Sequence, residues 1–196
     1  MSMSPRGAHK FDPAKADLLD SADRSTFLPD DVLVDLLDLT GTETVLDYGA
    51  GTGRVTLEVA AHLTSGRIIA VDESPEMVRR LRARTEGNEK IEVVPIAHNR
   101  TALPDASVDR LLAVNLLHEI RGETALAEMR RVLKPTGLLL AVDWAQDRPS
   151  DSGPPSDHRY RVGEAQQELE AAALHAEVVD VGLPYHFVLR CRPTAN

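Results

Sequence analysis

Three glycines at alternate positions behind an acid form the chain's first candidate for chemistry, in Thr44-Val45-Leu46-Asp47-Tyr48-Gly49-Ala50-Gly51-Thr52-Gly53. Glycine serves where backbone takes a positive φ or approaches a ligand closely, and the apolar run before it reads as a buried strand. Arg54 to Leu63 follows with helical spacing, so the unit is strand, glycine loop, helix. Such a unit can set free backbone N–H groups and a positive helix end beside a bound anion. Spacing narrows the ligand. A nicotinamide or flavin loop runs G-x-G-x-x-G/A, whereas Arg54 stands where that pattern wants its third small residue. No Gly-Lys-Ser/Thr follows, which excludes a phosphate-binding P-loop. Asp47 would repel a pyrophosphate but suits a ligand that carries a cation.

Asp72 closes the next apolar run, and in doubly wound sheets an acid there faces the cleft and accepts from ribose hydroxyls. Two later runs bring Asn115, His118 and Glu119, then Asp143 and Trp144, to the same side. His118 is the best-placed base, with Glu119 to orient it or to bind a cation. The alternative is that His118-Glu119 caps a strand-to-helix turn. His158, Tyr160 and Tyr185 read as structural or surface residues. His9, His62, His98, His175 and His186 have no ligand spacing, and a single cysteine rules out a thiolate zinc site, so no metal is expected.

The elements that must position these residues alternate. Expected strands are Glu43 to Tyr48, Arg67 to Val71, Ile91 to Pro95, Val108 to Asn115 and Gly137 to Asp143, separated by amphipathic helices. Ser74-Pro75 starts one helix with an N-cap residue and proline, and Lys134-Pro135 closes another. Short helical patterns open at Phe11-Asp12-Pro13 and at Pro29. Such alternation implies a parallel sheet covered on both faces. A helix over Arg161 to Leu174 precedes two strands, Glu177 to Val181 and His186 to Arg192, joined closely enough for antiparallel pairing. Residues 1–10 read as a mobile arm, and 145–157, with Gly153-Pro154-Pro155 at its centre, as a lid loop.

At 196 residues the chain fits one domain over 1–196. It is 42% apolar, and no run approaches the roughly 20 apolar residues that span a bilayer. A net charge of −9 disfavours nucleic acid, since phosphate affinity comes from clustered Lys and Arg. Arg79, Arg80, Arg82 and Arg84 read as a solvated helix face. Cys191, the only cysteine, reads as a small buried apolar residue, and a reducing cytoplasm fits best.

These motifs together resemble the class I S-adenosylmethionine-dependent methyltransferases, of the small bacterial type similar to the quinone-biosynthesis methyltransferases. The first motif matches Val45 to Gly53 and the second Ala70-Val71-Asp72-Glu73-Ser74 with Met77. Leu103 to Asp109, Leu116-Leu117-His118-Glu119-Ile120 and Glu128 to Gly137 follow in order, so the resemblance covers about 40–145, the cofactor-binding core. It implies an α/β, doubly wound, Rossmann-like seven-stranded sheet, mostly parallel with the last strand antiparallel, in the order 3-2-1-4-5-7-6. It implies S-adenosylmethionine as cofactor, S-adenosylhomocysteine as product, and a backbone from Gly49 through Ala50, Gly51 and Gly53 facing the methionine and ribose, with Asp47 and Asn115 nearby. Asp72 would hold the ribose, and Glu73 and Met77 would border the adenine. Where relatives often carry an acid, this chain has Asn99, whose side-chain carbonyl can still accept from the adenine amino group. The reaction implied is in-line transfer of a methyl group to a small-molecule acceptor, by a monomer or homodimer. Rival readings are a catalytically inactive S-adenosylmethionine-binding sensor or partner protein, a protein or RNA methyltransferase, and a nicotinamide oxidoreductase.

Overall fold

The computed structural model describes residues 10–120 and 123–194; residues 1–9 of the expected arm lie outside them. Strands β1 (Thr44–Tyr48), β2 (Arg67–Asp72), β3 (Ile91–Pro95), β4 (Val108–Val114), β5 (Leu133–Trp144), β6 (Leu174–Val178) and β7 (His186–Pro193) form one sheet in the order β3-β2-β1-β4-β5-β7-β6. Strands β1 to β5 pair in parallel, and β7 pairs antiparallel with both β5 and β6. The expected fold class and strand order are therefore found.

Side chains of a strand alternate between faces, and here both faces are buried. Leu46, Ile69, Leu111 and Leu139 belong to one apolar cluster, while their neighbours Val45, Ile68, Leu112 and Leu140 belong to another. Helices α2 (Asp30–Asp35) and α3 (Arg54–His62) add Leu33, Val34, Val55 and Val59 to the second cluster. Helices α5 (Glu123–Val132) and α6 (Val162–Ala171) add Leu126, Met129, Ala165 and Leu169 to the first. Helix α4 (Pro75–Thr85) starts where expected, with the Ser74 hydroxyl accepting from the Met77 amide at 3.4 Å. Cys191 is fully buried in β7, and burial pushes its thiol up to about 12.

Several boundaries differ from expectation. β5 begins at Leu133, not Gly137, because Leu133 already pairs with Val108 ahead of an irregularity in the register. β6 lies upstream of the expected Glu177–Val181. Leu174 and Ala176 supply the buried face, whereas Val178 and Val181 are exposed at 52% and 37%. Helix α6 consequently stops at Ala171.

The N-terminal segment forms a 3-10 turn over Pro13–Asp20 and then α1 (Ala22–Phe27). The arginines of α4 hold it, which corrects the reading of a purely solvated face. Arg80 donates to Asp17 at 2.7 Å, and Arg84 pairs with Asp20, which also accepts from Thr52 Oγ1 at 2.8 Å. Arg54 clamps α2 to α3 through both Asp30 oxygens, at 2.6 and 2.7 Å.

Two buried carboxylates make the fold acid-sensitive. Burial alone would raise Glu43, but bonds from the Thr40 hydroxyl and amide and the Gly41 amide outweigh it and hold the group at about 2. Glu128 is likewise held at about 2 against burial, by Arg131 and Thr101. Both folded values lie below the ordinary 4.5, so each carboxylate stabilises the fold above about pH 4.5. That contribution is lost as pH falls from there towards 2. Glu43→Gln and Glu128→Gln should each cost roughly 1 to 3 kcal/mol at pH 7 and flatten the acid limb of a denaturation series.

Candidate functional site

Tyr48 lies opposite Val71, so the chain leaving β1 passes over the end of β2. There the Val71 carbonyl accepts from the Gly49 and Ala50 amides, each at 2.9 Å, and Asp72 Oδ2 accepts from the Gly51 amide at 2.9 Å. The Gly53 amide donates to the Ala50 carbonyl at 3.0 Å. These four amides are committed within the protein, which corrects the generic expectation of free loop N–H groups. Gly49, Gly51 and Gly53 all have positive φ, but their surroundings differ. A Cβ on Gly49 would lie 2.7 Å from Leu116 and one on Gly53 would lie 2.3 Å from Leu81, whereas on Gly51 its nearest neighbour would be Leu19 at 3.5 Å. Gly51 is the glycine with an approachable surface, and the 3-10 turn lies over it.

Asp47 is buried, and its carboxylate accepts from Thr56 Oγ1 at 2.6 Å. Burial pushes it up to about 6 in spite of that bond, with Asp72 adding repulsion. Asp72 is raised by burial too, although its oxygens accept from the Ser74 amide at 2.8 Å and the Gly51 amide. A carboxylate offers about four acceptor positions, so capacity is left for further donors. Glu73 accepts from the Asn99 amide at 2.9 Å and from Lys10 at 3.0 Å, and the Asn99 carbonyl accepts from the Tyr48 hydroxyl at 2.8 Å. Glu73 and Asn99 thus meet beyond the ends of β2 and β3, with Met77 buried in the first turn of α4.

The other half of the site stands on β4 and β5. Asn115 leaves β4 with φ 55, its amide donates to Val142 at 2.7 Å, and its Oδ1 is enclosed with no hydrogen-bond partner among the described residues. His118 Nδ1 lies 2.7 Å from Asp143 Oδ1, while the His118 amide donates to Asp143 Oδ2 at 3.0 Å. The Trp144 amide donates to Asp143 Oδ1 at 2.7 Å, so the carboxylate is fixed from three directions. An acceptor at Nδ1 sets the tautomer that leaves Nε2 basic. Nε2 lies 3.8 Å from Glu119 Oε1. Burial raises the Glu119 carboxyl, partly offset by His118 and by the Phe11 amide that donates to it. Asp72 also repels Glu119, so the glycine-loop half and the histidine half share one electrostatic cleft.

Rings cluster around Trp144. Its ring centroid is 4.2 Å from that of His186, and Phe27 lies 5.6 Å from Trp144 and 5.7 Å from Tyr185. Burial pulls His186 down to about 3, so it is neutral. Tyr160, by contrast, is buried and donates to Glu168 at 2.8 Å. The 145–157 loop wraps around Arg159, which donates to the carbonyls of Arg148, Ser150, Ser152 and Pro154 and sits 5.3 Å over the Trp144 ring.

A family described as a methyltransferase domain matches residues 45–137, the stretch from the first strand to the start of the fifth. A crystal structure of a SAM-dependent methyltransferase from Aquifex aeolicus superposes with a TM-score of 0.87 at 29% identity, covering 94% of this chain and 100% of that one. Residues 45–137 thus match a methyltransferase domain, and the chain as a whole is similar in fold and sequence to a SAM-dependent methyltransferase. It is also 33% identical over 58% of its length to a demethylmenaquinone methyltransferase of Tropheryma whipplei, covering 46% of that protein. With a malonyl-[acyl-carrier protein] O-methyltransferase of Xylella fastidiosa it shares 30% identity over 59% of its length and 40% of that relative. The chain thus spans less than half of either relative.

Asp143 reached the cleft in the sequence reading but had no partner there. The pairing with His118 follows from β4 and β5 being neighbours, which only the fold reveals. Phe11, Leu19 and Arg24 were missed as site neighbours, since the groups they approach, Glu119, Gly51 and Asp47, are remote in sequence. The two inner glycines should respond differently to a methyl group. Gly53→Ala should lower the melting temperature by several degrees through the clash with Leu81. Gly51→Ala should cost only about 1 to 2 kcal/mol of backbone strain yet weaken S-adenosylhomocysteine binding at least tenfold by calorimetry.

Proposed function

We propose that the chain is an enzyme domain that transfers the methyl group of S-adenosylmethionine to a small-molecule acceptor, with His118 as general base. The observation that carries the reading is the Asp143–His118 pair at 2.7 Å, beside a glycine loop whose amides are already spent. The donor side fits the cofactor on two counts. The enclosed Asn115 Oδ1 is an acceptor waiting for a donor, and the raised Asp47 and Asp72 carboxyls favour a ligand with positive charge. Asp72, Glu73, Met77 and Asn99 are the residues that would hold the ribose and adenine. The phosphate-free, sulfonium-bearing cofactor matches a loop in which four amides, those of Gly49, Ala50, Gly51 and Gly53, are already engaged.

When bound, S-adenosylmethionine supplies an activated methyl group, and the C–S bonding pair leaves on sulfur as the neutral thioether. The protein's work is alignment, since the donor needs no further activation. Asp143 holds the imidazole in one orientation and takes the Nδ1 proton into a hydrogen bond. Nε2 accepts the proton from the acceptor's O–H, N–H or acidic C–H as the new bond to carbon forms. Glu119, at 3.8 Å, stabilises the resulting imidazolium. The acceptor lies beyond the carboxyl ends of β4 and β5, next to the ring cluster of Phe27, Trp144 and Tyr185. Two relatives are named for demethylmenaquinone and for malonyl-[acyl-carrier protein], which favours a metabolite, free or carrier-borne, over nucleic acid. The net charge of −9 points the same way, and the lone buried Cys191 suits a reducing cytoplasm. No helix among the described residues is long and apolar enough to cross a membrane.

S-adenosylhomocysteine should stabilise the protein in thermal denaturation, by about 2.7 kcal/mol at 100 times its dissociation constant, whereas NAD should not. Stabilisation by NAD alone would sink the reading, and unchanged stabilisation of Asp72→Ala would remove the ribose assignment. His118→Ala and Asp143→Asn should each lower turnover of labelled methyl groups into a metabolite extract by about 100-fold or more, with S-adenosylhomocysteine affinity unchanged. Unaltered turnover would leave the pair a structural cap.

A further inference from the structure

Arg24 is a partly buried cation with no ion pair to a carboxylate among the described residues. It stands in α1 beside the glycine loop, with Nη1 3.4 Å from the Leu19 carbonyl, and Leu19 is the residue that lies over Gly51. The side chain keeps some exposure at its edge, but Nε is shut off from solvent and has no hydrogen-bond partner among the described residues. Three carboxylates lie within electrostatic reach of it, those of Asp20, Asp30 and Asp47. Each is committed elsewhere. Asp30 is gripped through both oxygens by Arg54, Asp20 by Thr52 and Arg84, and Asp47 by Thr56. Burial, reinforced by the neighbouring Arg54, brings the guanidinium down to about 10. A partly buried guanidinium left in this state is costly, and an anion delivered by a ligand relieves it.

The geometry points to Arg24 as the anchor for the α-carboxylate at the amino-acid end of the cofactor. That end is a zwitterion, and the surroundings supply both complements. The enclosed Asn115 Oδ1 and the Asp47 carboxyl are acceptors for an ammonium, and the Arg24 Nε is the unspent donor for a carboxylate. The two kinds of group flank the same loop, because Arg24 contributes to the field at Asp47 and touches Leu19 above Gly51. α1 then becomes part of the donor site, although it lies outside the matched stretch 45–137.

The inference rests on S-adenosylmethionine being the cofactor, and the test keeps the two apart. Calorimetry would compare S-adenosylhomocysteine with its decarboxylated analogue, which keeps the nucleoside, sulfur and amine and lacks only the carboxylate. Wild-type protein should bind the carboxylate-bearing compound more tightly. Arg24→Gln should weaken S-adenosylhomocysteine about ten- to one-hundred-fold and leave the analogue's affinity unchanged, and Arg24→Lys should recover part of the loss. The analogue's binding by Arg24→Gln doubles as evidence that the site has folded. Equal loss for both compounds, or loss for neither, would overturn the assignment. Equal affinity of wild-type protein for the two would overturn it without any variant. If wild-type protein bound neither, the cofactor reading itself would fail and take the anchor with it.

Discussion

The site depends on one strand end holding the next strand's exit. Val71 and Asp72, closing β2, take the amide hydrogens of Gly49, Ala50 and Gly51 in succession, so the path of the glycine loop is set by the β1–β2 register. Two consequences follow. The loop cannot flex away without breaking bonds at the edge of the sheet's core. Nor can those amides cradle an anion, so the loop's selectivity comes from shape and from the carboxylates beside it. Dinucleotide and P-loop sites solve the opposite problem with similar backbone. The difference lies in what the neighbouring strand already accepts.

Around that loop the protein gathers carboxyl groups that burial makes reluctant to ionise. Asp47, Asp72 and Glu119 are all raised, and they repel one another in pairs. A ligand bearing an ammonium and a sulfonium relieves this directly, so part of its affinity is strain already present in the free protein. Arg24 is the mirror case, a cation whose nearby acids are engaged elsewhere. The oxygens of Asp143 accept from the His118 and Trp144 amides and lie beside the His118 ring, so carboxylate and imidazole hold each other in place.

Much of this was legible beforehand. The strand-loop-helix unit announces itself through glycines and apolar runs, which are local signals, and Asp72 stands out because it closes a buried strand. Asn115, His118 and Glu119 could be placed on the cleft side for the same reason. What local signals cannot carry is pairing across the sheet. Asp143 and His118 meet because β4 and β5 run side by side, in a register that puts Val114 opposite Val142. β6 was misplaced because Val178, Val179 and Val181 look like a core strand, although the sheet buries Leu174 and Ala176 instead. The arginines of α4 look solvated in isolation, since their partners Asp17 and Asp20 are remote in sequence.

Those remote partners give the N-terminal segment an unusual kind of fastening. Besides Leu19 over Gly51, the Phe11 amide on Glu119 and the Phe27 ring against Trp144, it is tied by charge pairs near the surface, Lys10 with Glu73, Asp17 with Arg80 and Asp20 with Arg84. Mobile ions weaken such pairs while leaving the buried Asp143–His118 bond nearly untouched. Ionic strength therefore acts on these pairs more than on the Asp143–His118 pair. A change of salt thus separates the fastening of the N-terminal segment from the geometry of the histidine pair.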